Sequence, residues 1–147
     1  MRDYFQEPRA VFYLIYVSSA VNLMNDEELL YLLGQCREGN RELGITGMLL
    51  YKEGNLMQML EGEKPVVLDL YETIKKDPRH KDIITIMMDD SEHRVFDQWS
   101  MGFRNMDRFG AMPEFDDYMK ENLNLRFFSG NAEKAHRFIT FFNEANR

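Results

Sequence analysis

A phenol and a carboxamide in apolar surroundings are the side chains of this sequence best suited to rearranging hydrogen bonds. Tyr16 lies in the run LIYV, where a buried tyrosine hydroxyl needs a hydrogen-bond partner. Gln58 lies in LMQML, and a carboxamide is costly to bury there unless its polar atoms are paired. The amide carries both a donor and an acceptor, so its rotation or tautomerisation exchanges the group that a neighbour meets. Taken alone, Tyr16 is also an ordinary core tyrosine and Gln58 an ordinary backbone-bonded residue.

Four further residues could extend such a network. Ser18 follows Tyr16 by two positions, so on a strand the two side chains share a face. Asn40 precedes a G-x-x-G segment and, by itself, is typical of a helix C-cap or turn. Trp99 and Met101 alternate on a predicted strand and share a face, although a lone tryptophan is most often part of the core.

Patterns typical of catalysis and metal binding are missing from the sequence. His80, His93 and His136 are too far apart for a metal signature and are expected at the surface. No serine lies in a nucleophile elbow, and no catalytic triad can be assembled. Cys36 is the only cysteine, which excludes an intrachain disulfide, and it is expected to be a small buried hydrophobe. We therefore predict no enzyme and no metal site.

Composition indicates a soluble globular protein. Of the 147 residues, 44% are hydrophobic and 29% charged, and apolar runs such as 11–17 are too short to span a bilayer. The N-terminus lacks the basic start and apolar stretch of a secretory signal, so we expect a cytoplasmic protein. The net charge of −7 argues against direct binding to a nucleic acid backbone.

Hydrophobic periodicity predicts alternating strands and helices. In chain order we expect a strand at 12–17, a helix that begins after Asn25 with Gly39 as its stop, a hairpin of strands 45–51 and 56–61, a helix from Pro65 to Asp77, and strands at 83–88 and 96–103. The order βαββαββ is typical of a ferredoxin-like α+β fold, in which two helices pack on one face of a mixed sheet.

Residues beyond 106 add C-terminal helices. Helical spacing recurs over 113–123 and 132–145. We expect residues 1–106 to form one domain and 107–147 to form a helical extension packed on it. These helices could cover the sheet face that the first two helices leave open, because a bare apolar face is an interface or a liability.

Four segments together resemble the BLUF family of blue-light sensors that use flavin. They read LIYVSSA, GNRELGITGMLLY, LMQMLEGE and FDQWSMGF, and they follow the family's order and spacing over residues 11–103. The resemblance implies a photoreceptor that binds flavin non-covalently, FAD with FMN as the alternative, and catalyses no turnover of a substrate.

The resemblance also implies roles for individual residues. Tyr16 would give an electron and a coupled proton to the photoexcited flavin, and Gln58 would exchange its hydrogen bonds in response. Asn40 would pair with the pyrimidine edge of the flavin. Trp99 and Met101 would relay the change, and either could lie near the glutamine.

The cofactor is expected between the two helices. By resemblance, Leu32 and Ile74 would sandwich the flavin ring, and the ribityl and phosphate end would lie near three polar residues, Asp77, Arg79 and His80. Ser18 would extend the network on the strand face below.

A sensor of this kind needs an output. We expect a protein–protein interaction or a changed homo-oligomer, with a downstream protein partner and no direct contact with nucleic acid or membrane. Two alternatives remain, namely a ferredoxin-like small hydrolase that uses Arg79 and an asparagine, as acylphosphatases do, and an interaction module without flavin. A yellow protein whose spectrum shifts under blue light would distinguish the first reading from the others.

Overall fold

The described part of the chain contains five strands and two long helices in the predicted order βαββαββ. A computed structural model describes residues 11–97, 100–106, 133, 135–137 and 139–140. The elements are β1 (Val11–Ala20), α1 (Asp26–Leu43), β2 (Thr46–Lys52), β3 (Asn55–Gly62), α2 (Lys64–Lys75), β4 (His80–Ser91) and β5 (Gly102–Asn105).

The strands form one mixed sheet in the order β4-β1-β3-β2-β5. β1 pairs antiparallel with both β3 and β4, β2 pairs antiparallel with β3, and β5 runs parallel to β2. The ferredoxin-like α+β prediction is confirmed. The register of the central pair sets Tyr16 directly opposite Gln58.

Helix α1 starts as predicted but ends later. Asn25 and Glu28 form a reciprocal capping box, in which each side chain accepts from the other residue's N–H. The predicted stop at Gly39 is wrong, because the helix continues to Leu43 and ends at Gly44 with φ of 70°. An interior glycine costs only about 1 kcal/mol, whereas the left-handed cap position strongly favours glycine. Asn40 is therefore a residue of the last helical turns and not a C-cap.

The hairpin and α2 follow their local signals. Glu53 and Gly54 both have positive φ, 49° and 86°, which suits the two-residue turn between twisted strands. Pro65 lies in the first turn of α2, as predicted, and the helix ends at Lys75. Both elements are confirmed.

The last predicted strand, at 96–103, is wrong in its first part. Within this range, the described residues before Gly102 are 96–97 and 100–101, and they are not in a strand. Backbone groups of this part of the chain bond instead to side chains of other elements. Two N–H groups at the start of the segment donate to Glu61, and the carbonyl groups of Ser100 and Met101 accept from side chains of α1. These side-chain bonds replace a strand ladder, so β5 is the only part of the described 96–103 range that pairs with β2.

The sheet has a buried cluster on each face. The first face carries α1 and α2, with Leu33 and Tyr71 among the residues packed against the sheet. The second face is covered in part by helical residues near the C-terminus, because Ala135 and Ile139 are fully buried against the sheet. The described positions within 132–145 are helical. The predicted helix at 113–123 lies outside the described residues.

We predict that Gly47 tolerates no side chain. A Cβ at this position would overlap the backbone carbonyl oxygen of Met59 and lie 3.2 Å from Met101 Cε. Gly47→Ala should lower the free energy of unfolding in urea by about 1–3 kcal/mol, since overpacking forces the backbone to shift. Gly34→Ala is the matched control: it has open space around it, lies in a helix, and should raise stability by about 0.5–1 kcal/mol. Wild-type stability of Gly47→Ala would contradict this close approach.

Candidate functional site

A cavity of about 270 Å³ lies between α1 and α2, above the first face of the sheet. This is just below the usual range of about 300–1,000 Å³ for small-molecule sites. Leu32 of α1 and Ile74 of α2 both line it, as the sequence predicted for the two walls of a ring site. The cavity is mostly apolar, and its polar lining residues are few: Tyr16, Gln35, Asn40, Gln58, Thr73, Asp77, Arg79 and His80.

Tyr16 and Gln58 meet at the floor of this cavity. The Tyr16 hydroxyl donates to Gln58 Oε1 over 2.5 Å, and each residue exposes only 3% of its surface. Burial raises the pKa of Tyr16 well above its ordinary value of 10, and the nearby Cys36, Tyr71 and Asp77 act in the same direction. The phenol is therefore held in its protonated form, as a donor.

The other end of the Gln58 amide faces a sulfur atom. Gln58 Nε2 donates to Met101 Sδ over 3.4 Å, and Met101 is fully buried. A thioether is a weak acceptor and has no proton to donate, so this contact favours only one orientation of the amide. Of the two residues at 99 and 101, Met101 points inward, while Trp99 lies outside the described residues.

Two side chains of α1 hold the segment that carries Met101. Asn40 Nδ2 donates to the carbonyl oxygen of Ser100 over 2.9 Å, and Arg37 Nε donates to that of Met101 over 2.8 Å. Asn40 is 4% exposed and also lines the cavity. A carboxamide has two N–H donors and one acceptor, so Asn40 can serve both Ser100 and a ligand.

Ser18 and His80 connect β1 to the end of α2. Ser18 Oγ lies 2.8 Å from His80 Nδ1, and His80 Nε2 lies 2.7 Å from the carbonyl oxygen of Ile74. A carbonyl can only accept, so Nε2 carries a proton, and in the neutral ring Nδ1 accepts from the Ser18 hydroxyl. His80 lines the cavity, and the expectation of a surface histidine is wrong for this residue.

The two other histidines differ in their surroundings. His93 is exposed, as expected. His136 is half-buried, with its ring centroid 5.2 Å from that of Tyr13, and burial lowers its pKa. The surface prediction is therefore wrong for His136 as well, because the helical residues around it pack on the second face of the sheet.

An ion pair lies at the mouth of the cavity. Arg79 Nη2 and Asp77 Oδ2 are 2.5 Å apart, and Arg79 Nη1 donates to Gln35 of α1 over 2.9 Å. The hydrogen bond from Arg79 lowers the pKa of Asp77, and the same pair raises the pKa of Arg79. Arg79 thus bridges the end of α2 and α1.

Several residues that line or support the cavity were not identified as site residues from the sequence. Gln35 and Cys36 belong to the face of α1 that lines the cavity, and burial raises the pKa of the Cys36 thiol. Gln35 and Cys36 follow Leu32 by three and four residues, and Cys36 precedes Asn40 by four, which is a helical signal that could have grouped them. Tyr71 packs on Tyr16 with ring centroids 5.2 Å apart. Arg37 had no such signal, because its partner is a distant carbonyl group.

Neither a metal-binding cluster nor a membrane-spanning helix occurs in the described part of the chain. It contains no group of three or more His, Cys, Asp or Glu side chains that could hold a metal ion. None of its helices combines the length and the apolar character that crossing a membrane requires.

Comparison with known proteins gives consistent matches. The family model BLUF, described as sensors of blue-light using FAD, matches residues 11–102. Photoactivated adenylate cyclase subunit beta of Euglena longa is 31% identical over 109 residues, which are 74% of this chain but 13% of that protein. A bacterial light-regulated adenylyl cyclase aligns with a TM-score of 0.71 at 28% identity, covering 91% of this chain and 39% of that one. Photo-activated BlsA aligns with 0.70 at 26% identity, covering 90% and 93%.

The raised pKa of Tyr16 predicts a dependence of stability on alkaline pH. Above about pH 10 the unfolded chain releases a phenolic proton that the folded chain keeps, so the free energy of unfolding falls as pH rises. Tyr16→Phe should remove up to about 1.4 kcal/mol per pH unit of this slope in urea unfolding. Leu32→Ala, which changes a cavity wall but no titrating group, should keep the wild-type slope. Equal slopes in Tyr16→Phe and wild type would contradict a buried, protonated phenol.

Proposed function

Because this chain belongs to the BLUF family of blue-light sensors that use FAD, we propose that Tyr16, Gln58 and Met101 carry its light response. The observation that supports this assignment is the buried Gln58 amide, whose oxygen accepts from Tyr16 and whose nitrogen donates to Met101. A buried amide between one strong partner and one weak partner can be turned at a modest cost. The Gln58 amide is therefore suited to adopt two orientations, one in the dark and one after illumination.

The cavity fits a flavin ring. Its apolar walls include Leu32 and Ile74, and Asn40 and Gln58 offer carboxamides to the polar edge of such a ring. A bound flavin supplies the absorption of blue light and an excited ring that accepts an electron. The proposed cofactor is FAD, with FMN as the alternative. The proposed contacts with its ribityl and phosphate end are the three polar residues at the mouth, Asp77, Arg79 and His80, and Ser18 extends the network through its hydrogen bond to His80.

The response of the chain follows from the chemistry of its side chains. Tyr16 holds a proton at Oη. The phenol would give an electron to the excited ring and pass this proton toward Gln58 Oε1, and both would return to the phenol by the time the turned state is reached. When the carboxamide has turned, Nε2 donates to Tyr16 Oη and the Oε1 atom faces the side of Met101. Because a thioether has no proton to donate, Met101 loses its hydrogen bond to Gln58. The contact that held the Met101 side chain in its resting position is then gone.

Met101 links the cavity to the proposed output. It immediately precedes β5, a four-residue edge strand that leads to Met106 in the second-face cluster. In this proposal, movement of Met101 shifts β5 and changes how an extension formed by residues 107–147 packs on the domain of residues 1–106. The output is then an altered homo-oligomer or a contact with a downstream protein, and the sensor itself catalyses no reaction.

The hydrolase alternative has no supporting contact. An acylphosphatase-like site would pair Arg79 with an asparagine, but the hydrogen bonds of its guanidinium go to Asp77 and Gln35. No observation among the described residues favours an interaction module without flavin.

Gln58→Leu tests the assignment most simply. Wild-type protein should be yellow, and its flavin spectrum should shift reversibly to the red under blue light. We expect Gln58→Leu to bind flavin without this shift, because an isobutyl group cannot exchange a donor for an acceptor. Met57→Leu is the control, since Met57 lies on the same strand but on the opposite face and the volume is conserved. A full reversible shift in Gln58→Leu would remove Gln58 from the mechanism.

Hydrogen exchange tests the proposed route through Met101. In the full-length protein, illumination should speed amide exchange in β5 and at Ser100 and Met101, because the segment loses the contact between Met101 and Gln58. Met101→Leu should reduce the light-minus-dark difference there. If the spectral shift is intact and exchange over 100–105 is the same in light and dark, the signal takes another route.

A further inference from the structure

Glu61 is a buried carboxylate that the proposed light response does not use. It exposes 1% of its surface and follows Gln58 on β3 by three residues. Successive strand residues alternate between faces, so Gln58 faces the cavity and Glu61 the second face. A buried carboxylate is costly unless it is fully hydrogen-bonded. Its partners therefore show what it holds.

The carboxylate binds the start of residues 95–101, the segment that leads to Met101. Glu61 Oε2 accepts from the N–H of Val95 over 2.6 Å, and Oε1 accepts from the N–H of Phe96 over 3.0 Å. Hydrogen bonds to a charged acceptor are about twice as strong as neutral ones. Since the segment lacks a strand ladder here, these two bonds fix its backbone.

Neighbouring side chains complete the carboxylate's surroundings. The Thr46 hydroxyl donates to Glu61 Oε1 over 2.9 Å, and Arg94 Nη1 donates to Thr46 Oγ1 and to the Glu61 carbonyl oxygen. Phe96 itself is 1% exposed and belongs to the second-face cluster with Ile139. Glu61 thus holds Phe96 where the sheet meets the C-terminal helical residues.

The other end of the same segment is held from the first face. Ser100 and Met101 accept hydrogen bonds from Asn40 and Arg37 of α1. Only four residue steps separate Phe96 from Ser100, a reach of at most about 14 Å. A stretch of chain at most about 14 Å long thus joins the two anchored points.

We propose that Glu61 is a positioning residue of the light response: by fixing Phe96, it sets where Met101 Sδ meets Gln58 Nε2. The inference rests on the proposed function of Gln58. It adds that one strand, β3, contacts both ends of the stretch 95–101. Gln58 contacts Met101 on the first face of the sheet, and Glu61 holds Val95 and Phe96 on the second face. The bonds at Glu61 resist movement of the segment in either direction, so they raise the barrier both to the light-induced turn of Gln58 and to its return in the dark.

Glu61→Gln is the variant that tests this role, in the full-length flavin-bound protein. The carboxamide has the same shape, but it has one acceptor oxygen and turns an N–H₂ group toward a backbone N–H. We expect the red shift to form and then to decay in the dark about fivefold faster or more, which corresponds to the loss of one net hydrogen bond of about 1 kcal/mol. The ¹³C-methyl resonance of Met101, assigned with Met101→Leu, should also move in the dark state.

Val17→Ala is the matched control for lost stability. Val17 lies in the second-face cluster, but its aliphatic side chain forms no hydrogen bond to this segment. Its truncation should therefore lower the melting temperature and leave dark decay within about twofold of wild type. If Glu61→Gln does not fold, Glu61→Asp replaces it. The aspartate keeps the charge but is one methylene shorter and cannot reach both N–H groups, so it should also speed the decay.

The outcomes separate this inference from the proposed function. Wild-type protein that binds flavin without a spectral shift would contradict the function itself. A normal wild-type photocycle with unchanged decay and an unchanged Met101 resonance in Glu61→Gln, or unchanged decay in Glu61→Asp, would overturn only the positioning role. Faster decay in both the Glu61 variant and Val17→Ala would assign the effect to general destabilisation and would also overturn it.

Discussion

The hydrogen bond between Tyr16 and Gln58 depends on the register of β1 against β3, and the rest of the site depends on that bond. The two residues are direct partners across the central strand pair, in an interior that leaves each 3% exposed. A slip of one residue would turn Gln58 to the second face and leave the phenol without its acceptor. The strands on either side, the capped helix α1 and the tight hairpin all serve to keep this register.

The amide of Gln58 is a useful sensor element because its two ends have unequal partners. Tyr16 gives a short bond from a phenol kept protonated by burial, whereas Met101 offers only a weak sulfur acceptor. The stronger bond sets the resting orientation, and the weaker contact is the one that a turn removes. In the proposed response, the displacement of Met101 passes outward without breaking the sheet, because Met101 precedes an edge strand and is held by side chains rather than by a ladder.

Local signals predicted most of the fold, while long-range bonds account for the errors. The order βαββαββ, the Asn25 capping box and the hairpin turn are encoded by neighbouring residues, and resemblance supplied the residues around the cavity. The sequence predicts a helix stop at Gly39, but the cap lies at Gly44. A cap is set by the backbone conformation of the glycine, which the sequence alone does not reveal. The sequence of the segment before β5 is typical of a strand, but its backbone is held by Arg37, Asn40 and Glu61, which are 34 to 64 residues away in sequence. Hydrophobic periodicity along the chain does not reveal hydrogen-bond partners that are so distant in sequence.

Infrared difference spectroscopy on protein with ¹³C-labelled glutamine side chains tests the central claim most directly, because it follows the carbonyl of the amide itself. The account predicts a light-minus-dark band that is sensitive to the label, reports a changed hydrogen bond at a glutamine carbonyl, and disappears in Gln58→Leu. A normal red shift of the flavin spectrum with no label-sensitive glutamine band, or with a band that survives in Gln58→Leu, would contradict the proposal that Gln58 exchanges its partners.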